Sequence, residues 1–492
     1  MSSPSWELPG FLETINGRLH VNGVDAVELA DEHGTPLFVF SESRIRHNID
    51  RIKKAAAVIE HPLKLCYAAK AMSTMGILRA VKDAGSDIEV NSGGELWKAL
   101  KAGFTGDQIN FNGNSKEVWE LELAIENEIY AIQVDSLYEL SLIEETAKKI
   151  GKRANVSLRL VPEIKTGTHS GLQTALLTSK FGMMPDEAFN AFRKYKDSPH
   201  LNLAGIHLHI GSQLPEPEAY ADAFRMLFDS LMRIEAEAGI RLSHINLGGG
   251  FPVNYLKGAS RTAEFPAEQR DMFAADFEPS DAVGNAWNKV KDFARDCGAE
   301  HLLDDLTLLL EPGRSIIADT AICLTTVRNA KTRPVLKGSP PYEGGVDAAS
   351  ADGVVLSVGH RPLTTDHWLL TDAGFNILLS METYKWYYHL ISAERAGDAH
   401  ETPYKLAGPL CDGGDVYFDH EGGGRLPEYR LLPADVRPGE ILALLNCGAY
   451  SLAQASQYNG RFLPPVVLIK TDGTPQLIRR RDNFDDLIGS DL

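Results

Sequence analysis

The chain has 492 residues, of which 43% are hydrophobic, and this length predicts more than one core and therefore two domains. Its net charge of −18, from 49 basic and 67 acidic residues, argues against nucleic acid or an anionic membrane as a partner. We find no secretory signal, no apolar run of membrane-spanning length and no paired spacing among the five cysteines. We therefore expect a cytoplasmic protein with reduced thiols and no metal site.

Short apolar runs alternate with amphipathic stretches between residues 62 and 311. The amphipathic stretches include 74–83, 94–102, 137–149 and 220–237, and each has helical periodicity. Strand followed by helix, repeated eight times over roughly 250 residues, is typical of a (β/α)₈ barrel. The eight runs that we predict as strands are 63–67, 87–90, 108–111, 131–134, 156–161, 203–210, 244–247 and 306–311.

The pattern changes after Arg314, where strand-like runs are joined by Gly, Pro and Asp-rich turns rather than by helices. These runs predict an all-β C-terminal domain, and the stretch 331–353 is interpreted as a surface excursion within it. Residues 17–19 through 38–40 are candidates to add strands to that domain. The stretch 257–286 fits no strand and is interpreted as an insertion before a helix over 287–297. The C-terminal runs are 354–358, 368–371, 429–432, 441–445 and 466–470.

These observations predict three segments. Residues 1–40 supply N-terminal strands that pack with the β domain, residues 41–315 form the barrel, and residues 316–492 form the C-terminal β domain.

Four groups of reactive residues lie where predicted barrel strands end. They are Lys70, the run around His209, the glycines Gly248–Gly250, and Glu311 with Arg314. A parallel barrel brings its strand ends to one mouth, so these groups are expected to face one another. An amine, an imidazole, a glycine-rich anion cradle and a carboxylate–guanidinium pair are the parts of a pyridoxal-phosphate (PLP) site.

Each group also has a plainer explanation when it is taken alone. Lys70 reaches solvent past its strand, the three glycines form a tight turn, and Glu311 pairs with Arg314. His207 and His209 share a face of their predicted strand, so either is a candidate to stack on a cofactor ring, and a satisfied buried histidine is the commoner finding. The glycine spacing does not match the dinucleotide fingerprint, so it does not indicate NAD.

The motifs in their order along the chain resemble the fold-type III PLP-dependent decarboxylases, the group that contains diaminopimelate and ornithine decarboxylases. The resemblance runs from about residue 35 to the C-terminus. It implies an alanine racemase-like (β/α)₈ barrel followed by an all-β domain. The motifs are Tyr67–Ala71, Ser92–Leu96, Ser179–Gly182, His207–Ser212, Gly248–Gly250, Glu311–Arg314, Gly408–Asp415 and Gly448–Tyr450.

The resemblance also implies roles for individual residues. Lys70 bonds covalently to the cofactor, His209 stacks on its ring, Glu311 pairs with the pyridine nitrogen, and Cys411 protonates the product carbanion; these four form the expected catalytic set. In this family the loop with Cys411 comes from a second subunit, so a homodimer with sites at the interface is implied. The other residues expected to bind the cofactor are Ser212, Gly248, Gly249, Gly250, Gly313, Arg314, Tyr450 and Glu89, and those expected to bind the substrate are Arg314, Tyr384, Asp412 and Tyr450.

Departures from the family bear on the substrate. Diaminopimelate decarboxylases carry an arginine that binds the distal carboxylate, and here Ser380 stands in its place, with Glu382 two residues later. A lost charge-assisted contact is worth about 1.5–3 kcal/mol, enough to change specificity. In addition, Glu89 stands where the family usually has aspartate, and Asp412 replaces a common glutamate. These features resemble the D-ornithine/D-lysine decarboxylase branch.

The leading hypothesis is therefore decarboxylation of a basic diamino acid at a D-configured α-carbon, which gives a diamine. The alternative is decarboxylation of meso-diaminopimelate to lysine, with Arg314 or Lys385 as the clamp. A racemase that shares the barrel is disfavoured by Glu311 and by the loop with Cys411. A non-enzymatic PLP-binding regulator is disfavoured by the intact Lys70, Glu311 and Cys411.

Overall fold

The computed structural model describes residues 6–161, 180–257, 265–335 and 364–492. Several sequence-based predictions fall outside these ranges: the strand 354–358, part of the excursion 331–353, part of the stretch 257–286, and Ser179. Within the described ranges no helix is both long enough and apolar enough to cross a membrane.

A small antiparallel sheet and one helix precede the barrel. The sheet packs its buried face, which includes Leu19 and Val21, against Val39 and Ile322 of the larger C-terminal sheet, and this contact forms a second hydrophobic core. The elements are β1 (Leu12–Ile15), β2 (Arg18–Val21), β3 (Val24–Asp25), α1 (Ala26–His33) and β4 (Leu37–Ser41).

Eight parallel strands of the described chain close into a barrel. Most of their residues are buried, as expected for strands covered by helices outside and filled by side chains inside. The strands are β5 (Leu63–Ala68), β6 (Asp87–Val90), β7 (Ile109–Phe111), β8 (Ala131–Val134), β9 (Ala154–Arg159), β10 (Leu201–His207), β11 (His244–Asn246) and β12 (Thr307–Leu310).

Helices follow the strands and cover the barrel. Ser92 and Ser136 each accept a hydrogen bond from the backbone N–H three residues later, and so begin α4 and α6 with an N-cap. The helices are α2 (Glu42–Ile59), α3 (Met75–Asp83), α4 (Gly93–Ala102), α5 (Val118–Glu126), α6 (Leu137–Ile150), α7 (Pro185–Tyr195), α8 (Glu218–Ala238), α9 (Ala267–Ala274), α10 (Pro279–Asp296) and α11 (Arg314–Ile317).

A nine-stranded sheet of described residues follows the barrel. Its longest strand, β13, pairs antiparallel with β4, so the strand that directly precedes α2 is part of this sheet. The remaining elements are β13 (Ala321–Val335), β14 (Thr364–Thr371), α12 (Leu379–Thr383), β15 (Leu390–Ser392), β16 (Thr402–Ala407), β17 (Arg430–Leu432), β18 (Ile441–Leu445), β19 (Val466–Ile469), β20 (Pro475–Arg479) and α13 (Phe484–Ile488).

The predicted fold, an α/β barrel of eight strands followed by a C-terminal sheet, is confirmed. Three local predictions are wrong. The sixth barrel strand ends at His207, because its neighbours β9 and β11 pair no further, and His209 lies in the following loop. The helix predicted over 287–297 begins at Pro279, a residue well suited to a first helical turn. Lys331–Val335 continue β13 rather than starting a surface excursion.

Candidate active site

One cleft at the carboxyl ends of the barrel strands brings together most of the predicted residues. Lys70 lies in a 3₁₀ turn (Ala69–Ala71) directly after β5. His209, Gly250, Glu311 and Arg314 line the same cleft, which has a volume of about 230 Å³. Ser212, Gly313, Tyr384 and Tyr450 complete the set of predicted residues on its walls. The expectation that the groups at the strand ends face one another is confirmed for Lys70, His209, Gly250, Glu311 and Arg314.

Glu311 is buried, with 7% of its surface exposed, and is held by three asparagine amides. Asn112 Nδ2 donates to one carboxylate oxygen over 2.9 Å and Asn246 Nδ2 to the other over 2.7 Å. Asn110 donates a third hydrogen bond. Glu311 therefore has amide partners rather than the ion pair with Arg314 that was one interpretation of the sequence.

The surroundings of Glu311 favour its protonated form. Burial, and then the nearby carboxylate of Glu89, raise its pKa to about 7, although the amides of Asn246 and Asn112 oppose the shift. A cation placed beside this carboxyl would reverse the shift, since an opposite charge stabilises the ionised form.

Lys70 faces the second buried acid of the site. Its Nζ lies 4.0 Å from Oε1 of Glu89, which is fully buried and also accepts a hydrogen bond from Asn112. Burial disfavours the ammonium, but Glu89, with Tyr450 and Glu311, outweighs burial and raises the pKa of Lys70. The site thus combines one amine with two acids.

The two histidines of the HxH run have different positions. His207, at the end of β10, is buried with Nε2 3.6 Å from Glu311 Oε2. His209 lies above the glycine turn, where its Nδ1 accepts a hydrogen bond from the N–H of Gly249 over 3.2 Å. Burial lowers the pKa of both rings well below the usual value, so both are neutral near pH 7.

The glycine turn allows backbone to approach backbone closely. A Cβ on Gly249 would lie 2.5 Å from the carbonyl oxygen of Glu311. Gly250 has a φ of +99°, and a Cβ there would lie 2.8 Å from the oxygen of Gly211. No larger residue fits these positions without a backbone shift, and Gly250 itself lines the cleft.

Arg314 is a buried cation without a carboxylate partner among the described residues. Its guanidinium donates to Ser212 Oγ and to Tyr255 OH, at 3.3 and 3.2 Å. It also stacks over the rings of Trp386 and Tyr450, 4.2 and 4.8 Å from their centres. A buried charge needs compensation, so this group is suited to an anion supplied by a ligand.

Cys411 and Asp412 do not join the cleft. Both are exposed, in a loop held by a hydrogen bond from the N–H of Cys411 to Asn459 Oδ1 at 2.7 Å and by one from Tyr458 OH to Asp412 at 3.2 Å. Asp415, which is buried, accepts the N–H groups of Leu410 and Phe375 and fixes the end of the same loop.

Several residues of the cleft were missed by sequence analysis. Asn110 and Asn112 share one face at the end of β7, but asparagine is common near strand ends, and nothing in the sequence links them to Asn246 or Glu311. Arg159 ends β9 and stacks over Phe181, 4.3 Å from the ring centre, and its position at a strand end was the available clue. Gln454 lines the cleft beside Ser380 and accepts a hydrogen bond from its hydroxyl.

The polar residues around Glu382 form a separate cluster. Ligand atoms of Glu382, His420 and Glu421 lie within 4.8 Å of one another. The buried ammonium of Lys385 is 3.0 Å from Glu382 and 3.9 Å from Glu421, so the acids already have a cation. Lys385 is not on the wall of the cleft, and of the two candidate clamps only Arg314 is.

Comparison with known proteins adds independent evidence. Residues 42–318 match the family described as pyridoxal-dependent decarboxylase, pyridoxal binding domain, and residues 319–448 match its C-terminal sheet domain. The chain is 32% identical to diaminopimelate decarboxylase of Methanocaldococcus jannaschii, over 98% of this chain and 96% of that protein. It is 33% identical to the enzyme of that name from Methanothermobacter thermautotrophicus, over 96% and 95% of the two chains. The crystal structure of the M. jannaschii enzyme with L-lysine superposes with a TM-score of 0.77, at 31% identity and 98% coverage of both chains.

Glu311→Gln tests the buried acid. In protein freed of any cofactor, the folded carboxyl keeps its proton to about pH 7, whereas the unfolded one loses it near pH 4.5. Ionisation therefore weakens the wild-type fold as the pH rises through this window. Because glutamine does not titrate, Glu311→Gln escapes this loss. We therefore expect the free energy of unfolding of the variant minus that of wild type to increase by about 3 kcal/mol as the pH rises from 4.5 to 8.

Urea unfolding at a series of pH values measures this difference. Glu401→Gln, at an exposed position, makes the same charge change and is expected to shift by about 0.5 kcal/mol or less. Parallel pH profiles for wild type and Glu311→Gln would contradict the raised pKa.

Proposed function

We propose that this chain, which belongs to the family of pyridoxal-dependent decarboxylases, decarboxylates meso-diaminopimelate and so produces lysine. The observation that carries the choice of substrate is Arg314, a buried guanidinium in the cleft with no carboxylate partner among the described residues. Tyr384 lies in the same cleft. Relatives of 32% and 33% identity that match nearly the whole chain are named diaminopimelate decarboxylases.

Pyridoxal 5′-phosphate is the cofactor of this family, and the residues of the cleft fit it. The turn Gly248–Gly250 has no room for side chains, so its backbone can approach an anionic phosphate closely. Lys70 would supply the amine that bonds to the cofactor, and Glu311 would pair with its ring nitrogen. We assign His209 to the ring face, and Ser212, Gly313, Tyr450 and Glu89 to the cofactor's surroundings.

The bound cofactor supplies an electron sink for the bond that breaks when CO₂ leaves. The residues of the chain make that sink effective. Asn110, Asn112 and Asn246 fix the direction of the Glu311 carboxylate, which would hold a proton on the ring nitrogen of a bound cofactor. His209, neutral because it is buried, adds no competing charge at the ring. We assign the return of a proton to the α-carbon to the thiol of Cys411.

The second candidate is decarboxylation of D-lysine or D-ornithine, the leading hypothesis from sequence. The observation in its favour is that Ser380, in place of an arginine, lines the cleft. The named relatives and the position of Arg314 support diaminopimelate better, so the order of the two hypotheses is reversed. Both substrates present a D-configured α-carbon, and the difference lies at the far end.

Turnover of a substrate series tests this proposal. Purified, PLP-loaded protein should release CO₂ fastest from meso-diaminopimelate, because Arg314 offers its charge to a distal carboxylate that D-lysine and D-ornithine lack. We expect kcat/KM for meso-diaminopimelate to exceed that for D-lysine by about tenfold or more. L-lysine and L-ornithine are the stereochemical controls. A preference for D-lysine or D-ornithine would favour the second candidate.

We further propose that the active enzyme is a homodimer in which each cleft receives Cys411 and Asp412 from the other subunit. Both residues are exposed and neither lies on the wall of the cleft that holds Lys70. Their loop is nevertheless fixed by Asn459 and Asp415, as expected for a loop that presents a side chain to a partner. The family resemblance supports the same arrangement.

Mixing two inactive variants tests the shared site. Lys70→Ala and Cys411→Ala are each expected to lose nearly all activity. Dimers that exchange subunits would contain one intact site in each heterodimer, which restores about a quarter of wild-type activity.

Lys70→Ala mixed with Arg314→Ala is the matched control, since both changes lie in one subunit's cleft and no heterodimer has an intact site. Equal activity of the two mixtures would contradict a site shared between subunits.

A further inference from the structure

One wall of the cleft consists of uncharged hydrogen-bonding side chains from the C-terminal region. Ser380 comes from α12, and Gln454 ends a 3₁₀ turn (Leu452–Gln454) after β18. Both line the cleft that contains Lys70. The hydroxyl of Ser380 donates to Oε1 of Gln454 over 3.4 Å. This distance is longer than the roughly 2.5–3.0 Å usual for O–H···O hydrogen bonds, so the contact is weak and only favours this orientation of the amide.

This hydrogen bond leaves the other end of the amide available. Gln454 is exposed, and its Nε2 group has no hydrogen-bond acceptor among the described residues, so this group is open to a ligand. It is a donor at a ligand-accessible wall, and a carboxylate is the acceptor that best satisfies such a donor. An ammonium has no lone pair to accept this hydrogen bond, and the second lone pair of Oε1 offers it only an uncharged acceptor.

The nearby acid does not offset this preference. Glu382 lies two residues from Ser380, but its carboxylate is paired with the buried ammonium of Lys385 and is not on the cleft wall. Glu311 is the one carboxylate among the described residues that line the cleft, and its asparagine partners hold it at the barrel end. The C-terminal wall therefore offers donors to an anion and no counter-charge to a cation.

We infer that Gln454, oriented by Ser380, is a specificity-determining residue that binds the distal carboxylate of the substrate through its side-chain amide. It takes over, without a charge, the contact that an arginine at position 380 would make, while Arg314 supplies the positive charge. This inference rests on the proposed function, because it concerns the far end of the same substrate.

Gln454→Glu tests the inference, since it keeps the size of the side chain and replaces the donor with an anion. We expect kcat/KM for meso-diaminopimelate to fall about tenfold or more, mainly through KM, because two carboxylates then face each other. The value for D-lysine should be unchanged or higher, so the ratio of the two moves toward D-lysine. The absorbance of the bound cofactor should not change.

Two further variants complete the test. Gln476→Glu, exposed on β20, makes the same chemical change away from the cleft and should leave the ratio unaltered. Ser380→Ala removes the group that orients Gln454 and should raise KM for meso-diaminopimelate by about threefold, without reversing the preference. If Gln454 had only a structural role, Gln454→Glu would lower kcat/KM for meso-diaminopimelate and for D-lysine together.

The outcomes separate the inference from the proposed function. If wild type is active and Gln454→Glu leaves the ratio unchanged, the inference is overturned and the proposed function stands. If wild type turns over neither substrate, the proposed function fails. Calorimetric titration of the holoenzyme with meso-diaminopimelate and with D-lysine, which lacks the distal carboxylate, then decides the inference: it survives if Gln454→Glu weakens the first selectively, and otherwise it is overturned.

Discussion

The burial of charge at one end of the barrel is the constraint on which the site depends. Glu311 and Glu89 are carboxylates in the protein interior, and Arg314 is a buried guanidinium. Asparagine amides donate hydrogen bonds to Glu311, Lys70 faces Glu89, and aromatic rings surround Arg314. This arrangement is costly unless ligands bring complementary charge; the basic ring nitrogen of PLP would balance an acid, and the distal carboxylate of the substrate would balance Arg314. These buried charges thus explain why the barrel mouth suits this cofactor.

The fold was largely predictable because barrel strands are short, apolar and separated by amphipathic helices. The exceptions have identifiable physical causes. The register of β10 against its neighbours, rather than its composition, ends that strand at His207. The helix that begins at Pro279 escaped prediction because its buried stripe includes small residues such as Gly284 and Ala286. Pairing between distant segments, as between β4 and β13, is not encoded in any local pattern.

Site residues were predictable where the residue type is unusual for its position in the sequence, and not where it is common. A lysine or a glutamate after an apolar run stands out, so Lys70 and Glu311 were identified. An asparagine does not, so Asn110 and its two partners were missed although they hold Glu311. Cys411 was identified by resemblance to the family, but only the structure shows that it is exposed and lies outside the cleft. On the C-terminal wall of the cleft, Ser380 in place of an arginine indicates from sequence a substrate without a distal carboxylate. The structure shows Gln454 beside Ser380, and its amide is a second possible partner for such a carboxylate.

The assignment of every other residue in the cleft depends on Lys70 being the residue to which the cofactor bonds. Reduction of the purified protein with sodium borohydride, followed by proteolysis and mass spectrometry, tests it most directly, because reduction makes the bond between cofactor and lysine permanent. We expect a pyridoxyl group on Lys70, and none on the neighbouring Lys64 or on Lys98. A pyridoxyl group on another lysine, or on none, would contradict it.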